Sequence, residues 1–316
     1  MAKYRHSLPQ LSDQLFLTDG GIETSLIFLD GFELPSFAAF DLFEQEHGIT
    51  GLHNYFVRYA AIAKRLGLGF ILESPTWRAN LAWPNTLGYS AAQLTRANQA
   101  AIDLMIALRG DFETERSPMV ISGCIGPRGD GYNPRAKMTA DEATDYHAFQ
   151  AEIFTESEAD MVTAITMNYV EEAVGVARAA AAVGMPSAIS FTLETDGHLP
   201  TGQPLAEAIA QVDDATSEAP AYYMINCAHP THFDHILETG EPWQHRVRGL
   251  RANASKCSHA DLDEATELDA GDPAELAEHY SVLRRRMRNL NVLSGCCGTD
   301  HRHIEQIAAV CAAVEA

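Results

Sequence analysis

A chain of 316 residues with 43 acidic and 22 basic side chains carries a formal net charge of −21, which repels nucleic-acid phosphates and anionic lipid surfaces and excludes both as partners. Its 46% hydrophobic and 21% charged content belongs to a globular protein with a sizeable core, not to a disordered one. No stretch approaches the ~18 uninterrupted apolar residues of a membrane span, and the opening MAKYRHSLPQLSDQ has no apolar segment of signal-peptide length, so the expected compartment is the cytoplasm, with reduced cysteines.

From there the chain repeats one unit: a short apolar run, a polar loop, then a longer stretch with helical spacing. The predicted strands are LFLTDGG (15–21), GFILESPTW (69–77), MVISGCIGP (119–127), MVTAITMN (161–168), PSAISFTLE (186–194), AYYMINCAHP (221–230), VRGLRANAS (247–255) and NVLSGCCGT (291–299). Helical patterns between them include 51–67, 90–110, 140–160, 171–184 and 273–289, and HRHIEQIAAVCAAVEA closes the chain as another helix. Strands alternating with helices imply a parallel sheet, because each parallel crossover needs a long connection packed on one face. Eight units fit a closed (β/α)8 TIM barrel, in which every edge is paired; an open doubly wound sheet is the alternative. No linker, low-complexity tract or charge block divides the chain, so one domain is expected over 1–316.

In such a barrel the loops after the strands carry the chemistry, and polar or sulfur side chains collect there: Asp19 after the first strand, Thr76 and Trp77 after the second, Cys227 after the sixth, Asn253 after the seventh, Cys296 and Cys297 after the eighth. A catalytic zinc wants a tetrahedron of soft ligands with one corner left open, and three cysteines from two strand ends supply three corners. Gly295 and Gly298 flank the adjacent pair and make the required sharp turn sterically accessible. The competing reading of the pair is two small buried hydrophobes. Of the remaining cysteines, Cys311 reads as helix packing, Cys124 as a core residue ending a strand near the site, and Cys257 as a loop thiol.

LTDGG, SFTLETDGHLPTGQPL, INCAHP, ANAS and SGCCGT, in this order and spacing, resemble the zinc-dependent homocysteine S-methyltransferases over nearly the whole chain. The resemblance implies a (β/α)8 barrel, Zn2+ held by Cys227, Cys296 and Cys297, and homocysteine entering the open corner as thiolate to attack the methyl group of an onium or folate donor. No protein side chain is then the nucleophile. Free thiols have a pKa of about 8.5, and coordination to zinc deprotonates them. The resemblance further implies that Asp19 holds the substrate amino group, with a turn or capping aspartate as the plainer account. Gly20 and Gly21 would let substrate approach the backbone, while Asn226 and Asn253 would hydrogen-bond the site or simply form loop turns. Trp77 and Tyr169 offer aromatic faces to a cationic donor, or merely pack. Glu73 matches an acidic position of some members, balancing a cation or sitting as a barrel-interior carboxylate. The family glutamate that ends strand four and binds the amino group is matched here by Ile165, which leaves the acceptor open between homocysteine and another thiol or selenol. His229 is a nearby candidate for compensation, against an ordinary structural histidine.

The chain stops with the barrel, so a small donor such as S-methylmethionine or betaine is expected instead of folate or cobalamin modules. A homo-oligomer is left open. Two other readings keep the cysteines: a zinc hydrolase, for which Glu73, Asp19 or His229 would serve as base, and a non-catalytic zinc or redox-sensing barrel.

Overall fold

The computed structural model describes residues 1–83, 87–238 and 240–313. Eight parallel strands close on themselves in sequence order: β1 (Phe16–Leu17), β2 (Gly69–Glu73), β3 (Met119–Ile125), β4 (Met161–Met167), β5 (Ser187–Thr192), β6 (Tyr222–Asn226), β7 (Val247–Ala252) and β8 (Val292–Gly295). This is the expected (β/α)8 barrel. Each strand ends earlier than the apolar run that announced it, because the ladder stops where the backbone turns toward the site. Thr76 N–H, for example, donates to Ser74 O just past β2.

The outer ring is built from α1 (Ile22–Phe28), α2 (Glu46–Leu66), α3 (Ala91–Phe112), α4 (Ala140–Thr155), α5 (Val170–Ala182), α6 (Leu205–Thr216), α7 (Pro230–Phe233), α8 (His259–Glu264), α9 (Pro273–Arg286) and α10 (His301–Ala312). Local chemistry marks their starts. Ser90 with Gln93, and Thr139 with Glu142, form reciprocal capping boxes at α3 and α4. Asp272 caps α9, whose first residue is a proline that lacks the N–H a helix start cannot use. Between β5 and β6 the crossover helix is α6, beyond the helical patterns named above.

Alternation along the strands sorts the barrel interior by height. Phe16, Ile71, Val120, Met161, Ala188, Tyr222, Met224 and Val292 form a buried apolar floor, with Leu8 packed against it. Two residues further along β2 to β5 the same face turns polar, and Arg251 of β7 joins it: Glu73, Ser122, Thr163, Ser190 and Arg251 are all buried. Burial of that layer requires internal partners, since an unpaired polar group away from water costs about 1–3 kcal/mol. Accordingly Ser122 and Thr163 hydroxyls lie 2.8 Å apart, Thr163 donates to Glu73 Oε1 at 2.8 Å, and Ser190 donates to Asn226 Oδ1 at 2.6 Å. The apolar floor and polar top place the site at the C-terminal ends of the strands.

Candidate metal centre and substrate cavity

Barrel closure sets β8 beside β7 and β7 beside β6, and this brings the three cysteines together. One ligand atom from each of Cys227, Cys296 and Cys297 lies within 4.8 Å of the others. Tetrahedral zinc with bonds of about 2.3 Å separates its sulfurs by about 3.8 Å, so small side-chain rotations complete the set. Backbone bonds fix the three loops to one another: Cys227 N–H donates to Arg251 O at 3.1 Å, Cys296 N–H to Ala252 O at 2.8 Å, and Ala254 N–H to Cys297 O at 3.0 Å. Tyr280 clamps the same junction by accepting from Ala252 N–H and donating to Ser294 O.

Cys227 has φ +54°, and Thr166, whose hydroxyl lies 4.0 Å from the Cys227 sulfur, has φ +67°. Both are uncommon for side chains with a Cβ, and for a β-branched threonine this is real strain. Asn226 pays for it, receiving Thr166 N–H at Oδ1 and donating from Nδ2 to Thr166 Oγ1, both at 3.1 Å. Contacts from the Cys296 and Cys297 side chains hold the Cys227 pKa far below that of a free thiol, and the contact with Cys227 raises theirs. Three sulfur donors this close together are a set suited to a soft divalent cation.

The two glycines after Asp19 are explained by this turn. A Cβ on Gly21 would stand 2.5 Å from Cys296 O, and one on Gly20 2.8 Å from Thr299 O, so both residues are small because the β8 loop passes over them. Gly295 is tighter still, since a Cβ there would overlap the Thr299 side chain.

The cysteines open into a cavity of about 330 Å³. Asp19, Gly20, Gly21, Glu73, Trp77 and Asn253 border it, as do Ile165 and Cys124. Thr76 and Asn226 are not lining residues. Thr76 gives its hydroxyl to Cys124 O at 2.7 Å, and Asn226 lies beneath the thiols in the bonds already described. Tyr169 borders a separate hollow with Arg128 and Glu172, where its hydroxyl accepts Met138 N–H. His229 caps α7 through Thr231, and burial pushes its pKa down to about 4. Cys257 is exposed.

Three features were beyond sequence reasoning. Tyr132, from the β3–α4 loop, puts its hydroxyl 3.9 Å from the Cys297 sulfur and stacks on His259 of α8 with ring centroids 4.1 Å apart, covering the thiols. Arg78 lies 3.9 Å from the ring centroids of both Trp77 and Trp83, so a guanidinium already occupies a face of Trp77. Arg251 pairs with Asp19 at 3.0 Å and also donates to Thr18 Oγ1 and Gly20 O. Only the last carried a signal, an arginine near the C-terminal end of the strand run VRGLRA.

A family model for homocysteine S-methyltransferases matches residues 16–311. The chain belongs to the homocysteine S-methyltransferase family. It is therefore a methyltransferase. Among solved structures, the metallated form of the homocysteine methyltransferase MmuM from Escherichia coli superposes with a TM-score of 0.72 at 18% identity, covering 96% of this chain and 98% of that one. The oxidized form gives 0.73 at 20% identity, covering 97% and 99%, and the apo form gives 0.66 at 18%, covering 96% and 98%. At these identities the likeness is one of fold. No curated protein matches the chain. Among the described residues of this methyltransferase no helix is long and apolar enough to cross a membrane.

Proposed function

We propose that this chain is a zinc-dependent S-methyltransferase, one barrel domain over 1–316, that moves a methyl group from a small onium donor to the sulfur of homocysteine or a similar thiol or selenol. The observation that carries the reading is the convergence of Cys227, Cys296 and Cys297 at the wall of a cavity, on the face where barrels of this kind place their chemistry. Zinc held by the three thiolates would keep an acceptor sulfur deprotonated and electron-rich at neutral pH, the formal charge of the site being −1.

The remaining work belongs to the protein. Asn253 donates to Cys227 O at 3.1 Å and holds the first ligand loop in place. Tyr132 and His259 cover the thiols, excluding water and limiting the approach to the sulfur. Leu262, Leu268 and Phe28 line the cavity and suit the methyl groups of an onium donor. Displacement at carbon needs nucleophile, methyl and leaving group in line, and a walled cavity supplies that alignment. A cytoplasmic setting and small-molecule partners complete the proposal.

The test is a matrix of thiol acceptors against S-methylmethionine, betaine and related donors on zinc-loaded protein, read by mass spectrometry. Methionine from homocysteine with at least one donor is expected. No methylated product from any pair, with one zinc bound per chain, refutes the reading.

A further inference from the structure

The family resemblance assigns the substrate amino group to Asp19 and to a glutamate at the position of Ile165. Neither is free to do that work here. Asp19 is 2% exposed, and both of its oxygens are occupied: Arg251 and Thr18 donate to Oδ1 at 3.0 and 3.3 Å, and Tyr55 donates to Oδ2 at 2.9 Å. An aspartate whose charge is cancelled by a buried guanidinium offers little to an incoming cation, because the pair already presents a net charge near zero. Ile165 has no charge at all.

Glu73 feels the same Arg251 charge, but the ion pair at 3.0 Å is made with Asp19. Glu73 borders the same cavity and is 4% exposed; Oε1 accepts from Thr163, and Oε2 is buried without a hydrogen-bond partner. A native structure rarely leaves a buried carboxylate oxygen unpaired, and this one belongs to a side chain that borders a cavity of substrate size. Asn253, whose Oδ1 is a second buried acceptor without a hydrogen-bond partner, borders the cavity as well. Glu23 of α1 adds another carboxyl to the wall.

We infer that Glu73, with Asn253 Oδ1, receives the cationic group of a substrate in this cavity, in place of Asp19, which Arg251 and Tyr55 hold as a structural anion. This rests on the methyltransferase reading and adds to it which side chain fixes the substrate's charge. The shared chemistry is a cation, carried either by the ammonium of the thiol acceptor or by the onium of the methyl donor. Burial pushes the Glu73 carboxyl up to about 7, so a cation arriving beside it favours the ionised form.

The experiment uses cobalt-loaded full chain, whose sulfur-to-metal charge-transfer band reports thiol binding independently of turnover. Homocysteine and 4-mercaptobutanoate, the same thiol without the amino group, are titrated into wild type, Glu73→Gln and Asp19→Asn. Betaine and S-methylmethionine are titrated by calorimetry. A lost charge-assisted contact predicts that Glu73→Gln weakens homocysteine about tenfold or more while 4-mercaptobutanoate is unchanged. If the cation is the onium, both thiols bind Glu73→Gln as they bind wild type, and a donor weakens by that factor instead. Unchanged affinity for all four probes, or a loss confined to Asp19→Asn, overturns the inference. Absence of any thiol effect on the wild-type cobalt band refutes the methyltransferase reading separately. Because glutamine keeps the shape of the side chain and removes a charge that burial opposes, Glu73→Gln is expected to fold, and an unaltered cobalt band before titration confirms its site.

Discussion

Replacing Arg251 with methionine tests whether Asp19 is a structural anion. Arg251 and Asp19 side chains are 6% and 3% exposed, and their closest approach is 3.0 Å. Methionine fills similar volume without charge, so the variant removes the ion pair and strands a carboxylate whose remaining donors are Thr18 and Tyr55. Breaking one side of a buried pair typically costs about 3–5 kcal/mol, whereas replacing both sides by neutral groups can be close to neutral. For a chain of 316 residues, an unfolding entropy of about 2.1 cal/mol/K per residue sums to about 0.66 kcal/mol/K, so the single substitution is expected to lower Tm by about 5–8 °C. Asp19→Asn alone is destabilising for the mirror reason, since it leaves Arg251 charged. The double variant Arg251→Met with Asp19→Asn is expected to recover at least about 2 kcal/mol relative to the sum of the two. Thermal melts and urea unfolding of metal-free protein supply all four corners of the cycle. A loss under about 1 kcal/mol for Arg251→Met, with coupling below about 0.5 kcal/mol, would show that solvent already reaches the pair and would refute the lock.

Cys297→Ser should abolish bound zinc and methyl transfer while leaving the barrel folded by circular dichroism; full zinc content in the variant contradicts the ligand assignment. Gly295→Ala drives a methyl into Thr299 and should destabilise by about 1–3 kcal/mol while lowering metal affinity at least tenfold, measured by competition with a chromogenic chelator. Unaltered metal affinity would mean that the turn carrying Cys296 and Cys297 tolerates displacement. The Glu73 carboxyl is raised from 4.5 to about 7 by burial, against Arg251 and Thr163, which lower it, so its contribution to stability is fully present below pH 4.5 and is lost as pH rises through 7. That difference is worth up to about 3 kcal/mol. Metal-free Glu73→Gln should therefore melt above wild type at pH 8 and level with it near pH 5, and parallel pH profiles would sink the assignment.

The repeating unit was legible because helix and strand periodicities are local: each apolar run and each capped helix declares itself within a dozen residues, and eight of them leave a closed barrel as the arrangement without edges. The gathering of the three cysteines was legible for a related reason. Cys227 follows β6, and Cys296 and Cys297 follow β8, with only β7 between them in a barrel whose strand order is the chain order, so strand number places the three sulfurs on one side of the barrel mouth. Partner choice among the charged side chains has no local signature. Asp19, Glu73 and Arg251 lie at or within two residues of a strand end; which acid takes the arginine depends on how β1, β2 and β7 are tilted and staggered once the ring closes. Closure gives Arg251 to Asp19 and leaves one Glu73 oxygen without a donor, and it carries Tyr132 and His259, from loops far apart in the chain, over the thiols. Sequence alone determined the scaffold and where its sulfurs gather. The tertiary structure decided which carboxylate is paired with the arginine and which keeps an unpaired oxygen beside the cavity, because electrostatic pairing follows distance in space and not distance along the chain.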